Sequence, residues 1–159
     1  MSNNSYIEIL KQSLTKKIEL LNTISALNVE QKHMLEDSGL DPDTLDENLQ
    51  RKAELVEELS KLDDGFEQVY ERVKAELDVN RERYSMDIQN MQRMIATIME
   101  KSNQVQLEEQ RNKTLMEHKF GTIKKQIREV KQSSQAVSSY YQNMAKVNLV
   151  DPQFMDDKK

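Results

Sequence analysis

Apolar residues recur at steps of three and four along nearly the whole of this 159-residue chain. That spacing lines them up on one side of an α-helix, so the chain is restricted to folds in which long amphipathic helices bury a shared stripe. Two prolines, Pro42 and Pro152, and three isolated glycines, Gly39, Gly65 and Gly121, are all that punctuate it. The pattern predicts an all-α protein: an antiparallel three-helix bundle or coiled coil with an extended C-terminal third helix, residues 1–159 forming one helical domain. Composition agrees, since Leu, Met, Ile and Ala supply most of the apolar content and Glu, Lys, Gln and Arg most of the polar, all good helix formers.

The first helix is expected over about residues 5–37, opened by a Ser5/Glu8 capping box and closed by Gly39 in a left-handed conformation. Its stripe is Ile7, Leu10, Leu14, Ile18, Leu21, Ile24 and Leu27, with Lys11, Lys16, Lys17 and Glu19 off it. Asp41 before Pro42 is a strong second start, an N-cap followed by a proline whose missing N–H costs nothing at the first helical position. From there to about residue 79, Leu45, Leu49, Val56, Leu59, Phe66, Tyr70, Val73 and Leu77 follow a heptad seam, interrupted by Lys52 and Asp63 and widened by Leu55, Leu62 and Val69. The third helix is expected over about 84–147, after a break marked only by cap-forming residues near Asn80 and Ser85. Its seam runs Tyr84, Ile88, Met91, Ile95, Ile98, Ser102 and Val105, turns polar at Glu109 and Asn112, and resumes at Met116. Pro152 stops it.

Lengths of about 35 residues give the first two helices about 50 Å each, against about 90 Å for a third helix of about 60 residues. Short connections would then leave the stripe beyond Asn112 without an intramolecular partner, and such a stripe frays, dimerises or receives another chain. Residues 113–159 are therefore the expected binding segment.

No catalytic constellation is visible. His33 and His118 are far apart in sequence and read as surface residues. Sequence-adjacent acid pairs, Glu57/Glu58, Asp63/Asp64, Glu108/Glu109 and Asp156/Asp157, point to different helix faces and read as solvated. With no cysteine and no glycine-rich loop, neither a thiolate site nor a phosphate cradle is expected. The chain reads as a non-enzyme without cofactor or metal. No stretch approaches the roughly 20 apolar residues of a membrane span, and no leader-like start is seen, so membrane insertion is not expected and the cytoplasm is.

The formal net charge of −5 conceals a basic stretch, since Lys119, Lys124, Lys125, Arg128, Lys131 and Lys146 are opposed only by Glu117 and Glu129. Without interleaved aromatic platforms this fits a solvated face or an acidic protein partner rather than nucleic acid. Met86, Met91, Met94 and Met99 read as core filling, and Met116, Met144 and Met155 equally as adaptable contacts. Gly65 reads as a close helix approach and Gly121 as a candidate hinge. The serine- and tyrosine-rich tail spaces Val137, Tyr141, Met144 and Val147 as helix-in-groove anchors.

The run LQRKAELVEELSKLD at residues 49–63, after an amphipathic helix and a short loop, resembles the FlgN family of flagellar export chaperones. The resemblance extends over nearly the whole chain in helix order and length. It implies a cytoplasmic helical protein that binds hook-associated proteins before export through the flagellar export apparatus, masking surfaces prone to assembly. It also implies substrate binding by the C-terminal helical region. Combined with the unpartnered stripe, this makes Met116, Phe120, Ile123, Ile127, Val130, Val137, Tyr140, Tyr141 and Met144 the candidate partner-binding residues, in a protein that is itself a monomer or weak dimer. The competing reading is a structural coiled coil that homodimerises through the C-terminal half of the third helix.

Overall fold

The structure, a computed structural model, describes residues 3–121. Three α-helices account for nearly all of them: α1 (Asn3–Glu36), α2 (Pro42–Val79) and α3 (Ser85–Phe120). At 1.5 Å per residue these are all about 50–57 Å long. Cross-links give the topology. Tyr6 accepts from Arg72 at 3.3 Å, Lys17 meets Asp63 at 2.8 Å and Asn48 donates to the Leu27 carbonyl at 3.0 Å, so α1 and α2 are antiparallel. Lys11 pairs with Asp87, Asn28 with Glu108, and Lys119 with the Asp37 carbonyl, so α1 and α3 run parallel. The helix α1 packs closely against both others.

The boundaries follow local chemistry. Asp41 caps α2 as the sequence implies, accepting from the Asp43 N–H at 3.1 Å and the Thr44 hydroxyl at 3.2 Å, with Pro42 opening the helix. The start of α1 at Asn3 puts Ser5 inside the helix rather than at its cap. Nor does Gly39 close α1 in a left-handed conformation, since the only positive φ among the described residues is at Gly121. Instead the Asp37 carboxylate accepts the Gly39 N–H at 3.0 Å, turning the chain with an aspartate side chain. At the other end, Asn80 terminates α2, its N–H on the Glu76 carbonyl at 2.9 Å and its side-chain amide on the Glu76 carboxylate at 2.6 Å.

The third helix departs most from expectation. It ends at Phe120, where Gly121 takes φ 80° and ψ −158°, a conformation open essentially to glycine alone. Of the single helix expected over 84–147, the described part is helical to Phe120 and leaves helical geometry at Gly121, and residues beyond it lie outside the described part. Within that part, the helices are matched in length.

The main core joins Ile7, Leu10, Leu14, Leu20, Leu21 and Ile24 to the α2 seam from Val56 to Leu77 and the α3 seam from Tyr84 to Val105. A smaller cluster of Leu35, Leu45, Leu49 and Met116, edged by Met34, Leu40, Leu115 and Phe120, closes the end near the α1–α2 loop. Every apolar seam position expected in α2 is buried. Among the four early methionines, Met91 is buried and Met94 packs on the core, but Met86 and Met99 are exposed, which removes them from core filling. Gly65 is exposed, and a Cβ there would meet nothing within 4 Å, so close helix approach does not explain it.

Candidate functional site

Between the two apolar clusters lies a layer of buried polar side chains contributed by all three helices. Lys52 of α2 is fully buried, its ammonium donating to Glu109 Oε1 of α3 at 2.9 Å and to Gln31 Oε1 of α1 at 3.3 Å. Gln31 donates to Asn48 Oδ1 at 3.0 Å, and Asn112 Nδ2 reaches both Gln31 Oε1 and the Asn28 carbonyl at 2.9 Å. Glu108 accepts from the Ser25 hydroxyl at 2.8 Å, Asn28 at 3.2 Å and Gln104 at 3.1 Å. A charge taken out of water is tolerable only when paired and hydrogen-bonded, and this network supplies that. Burial holds the Lys52 ammonium below its usual pKa range, while attraction and a hydrogen bond from Glu109, with a smaller attraction from Glu108, pull it back up.

In the sequence Lys52, Glu109 and Asn112 read as polar interruptions of the seam, and Glu108/Glu109 as a solvated pair. All four are buried. Lys17, placed off the α1 stripe, is also buried, its ammonium on Asp63 at 2.8 Å. Asn28, Gln31 and Asn48 were missed, although a signal was present: Gln31 stands four residues after Leu27 and four before Leu35, in line with the α1 core face.

Two of the nine candidate partner-binding residues are described. Met116 is fully buried among Leu35, Leu45 and Leu49, and Phe120 is half-buried at the edge of that cluster. The expectation that the stripe lacks an intramolecular partner after Asn112 is therefore corrected as far as Phe120: matched helix lengths give it the end of the α1–α2 hairpin. Ile123, Ile127, Val130, Val137, Tyr140, Tyr141 and Met144 lie outside the described residues, as does most of the basic stretch. His33 and His118 are exposed, and among the described residues no group of three or more His, Asp or Glu is placed to hold a metal ion. No described helix is long and apolar enough to cross a membrane.

Fold and layer together define a class, an all-α three-helix bundle whose helix pairing is set from inside by a buried polar network. A family model described as FlgN protein matches residues 1–148. The chain belongs to the FlgN family, and with it to the flagellar export chaperones, which bind flagellar proteins. Neither the curated proteins nor the solved structures give a match.

Proposed function

We propose that this chain binds hook-associated proteins of the flagellum in the cytoplasm, masks their assembly-prone helical surfaces and yields them to the flagellar export apparatus. The observation that carries the reading is the family match itself. It runs to residue 148 and so takes in the apolar positions that follow α3. Because Met116 and Phe120 are engaged inside the bundle, the reading rests on Ile123, Ile127, Val130, Val137, Tyr140, Tyr141 and Met144 as the client-contacting side chains. Ile123, Ile127 and Val130, and after one heptad Val137, Tyr141 and Met144, are spaced at three and four, which suits an amphipathic helix laid against a helical client. The action is stoichiometric masking, with no reaction catalysed by the chaperone and no cofactor or nucleic acid involved.

The test is co-purification with hook-associated proteins followed by size measurement, for the wild type and for Ile123→Asp with Ile127→Asp. The expected result is a one-to-one complex that the double variant abolishes while helix content is kept. A variant that binds clients as the wild type does would overturn the assignment of the surface. A tight homodimer indifferent to hook-associated proteins would overturn the chaperone mechanism in favour of the dimerising coiled coil, and strong, salt-sensitive DNA binding would overturn both.

A further inference from the structure

The end of α3 is attached differently from the rest of it. From Ile88 to Val105 the helix contributes to one extensive apolar core. The next turn presents Glu108, Glu109 and Asn112 to its neighbours, all buried and all polar. Beyond that turn, among the described residues, Met116 alone is fully buried, in a cluster whose other buried members are Leu35, Leu45 and Leu49, with Leu115 and Phe120 partly buried at its edge. Lys119 adds an exposed hydrogen bond to the Asp37 carbonyl at 2.8 Å, and Gly121 ends the helix at once. A buried ion pair returns little net cohesion, because desolvation offsets the attraction. The polar layer therefore couples the small cluster only weakly to the large one. The α1–α2 hairpin has its own bonds across the layer, Gln31 to Asn48 and Asn48 to the Leu27 carbonyl, and these do not involve α3.

We propose that residues 109–120 form an arm that melts off the α1–α2 hairpin as one unit while the main core stays folded, with the polar layer as the dividing line. Opening releases Lys52 to water with Glu109, frees Asn112 from Asn28 and Gln31, and uncovers Leu35, Leu45 and Leu49 on the hairpin. Sub-global openings of this kind are drawn from the regions with fewest buried apolar contacts. The inference goes beyond the client reading and holds or fails without any client present.

Native-state hydrogen exchange on the full chain at low denaturant tests it. In the wild type, protected amides of residues 109–120 are expected to share one opening free energy, with exchange at least tenfold faster than in residues 88–105. Ile98→Val removes one methylene from the main core and is expected to speed exchange in residues 88–105 roughly two- to tenfold. It leaves residues 109–120 unchanged, because the arm-open state still contains the damaged core and is destabilised equally. Met116→Ala is expected to speed both regions, since it weakens the closed state relative to every open one. Equal acceleration of both regions by Ile98→Val would mean a single cooperative unit and overturn the proposal. So would protection that declines residue by residue toward Phe120, which is end fraying, or an arm insensitive to Met116→Ala.

Discussion

Removing Glu109 while leaving Lys52 is the perturbation that most directly probes the polar layer. In Glu109→Leu the Lys52 side chain, fully buried, loses the carboxylate at 2.9 Å, while its hydrogen bond to Gln31 Oε1 at 3.3 Å is left in place. Breaking a buried pair from one side costs about 3–5 kcal/mol, because the remaining charge must stay desolvated or give up its proton. For a bundle of this size that is a large share of a total of about 5–15 kcal/mol. With an m-value of about 2 kcal/mol per M, the urea midpoint followed by circular dichroism at 222 nm should fall by about 2 M. Replacing both partners, as in Lys52→Met with Glu109→Leu, should restore most of the loss. The pH dependence follows from the same residue. Burial holds the folded-state pKa of Lys52 below the ordinary lysine value of 10.5. Between the two values the unfolded chain binds more protons, and stability rises with pH through that window. The double variant should lack this contribution. The reasoning is refuted if Glu109→Leu costs less than about 1 kcal/mol, or if the double variant is no more stable than the single one.

Other expectations follow from single positions. Asp41→Ala removes the acceptor of the Asp43 N–H and Thr44 hydroxyl bonds and should cost about 1 kcal/mol in denaturant unfolding. Met86→Glu and Met99→Glu, at exposed sites, should each stay within about 0.5 kcal/mol of wild type. Met91→Ala in the core should cost about 2–5 kcal/mol by the same measurement. Burial, reinforced by the carboxylates of Asp78, Glu71 and Glu67, pushes the Tyr70 hydroxyl up to about 12 from 10.0. Its contribution to stability is complete below pH 10 and lost as pH rises toward 12, so Tyr70→Phe should flatten the alkaline unfolding profile in that window.

Positions where local chemistry and periodicity agree were legible before the structure. Asp41 and Pro42 fixed one boundary, and the α2 seam from Leu45 to Leu77 could be read residue by residue because a heptad pattern needs no knowledge of the partner. The polar layer was not legible for the opposite reason. A lysine at position 52 is an interruption until an acid is known to face it, and which acid does so depends on the pairing of α2 with α3. The end of α3 was hidden as well. An isolated glycine costs a helix only about 1 kcal/mol, and the apolar spacing resumes at Ile123 as though Gly121 were absent. A stripe read as continuous left Met116 and Phe120 without a partner, whereas matched helix lengths place both against the hairpin. For the candidate site, the apolar spacing after Gly121 was legible in the sequence, and the client-binding role proposed for it rests on the chain's membership of the family.

The same layer explains why the bundle has one register. Heptad-equivalent positions on α2 are Leu45, Lys52, Leu59, Phe66 and Val73, and on α3 Ile88, Ile95, Ser102, Glu109 and Met116, all of them buried. One lysine and one glutamate occur in these two rows. Antiparallel pairing of Lys52 with Glu109 aligns Leu45 with Met116 a heptad further on, and those two do share the small cluster. Sliding α3 by one heptad, about 10.5 Å, would set Glu109 opposite an apolar residue and Lys52 opposite Ser102 or Met116, leaving both charges buried and unpaired. Apolar seams alone tolerate such a slip, since Leu, Ile and Met are nearly interchangeable across it; a single buried polar pairing does not. That pairing fixes where the end of α3 sets Met116 and Phe120 against the hairpin.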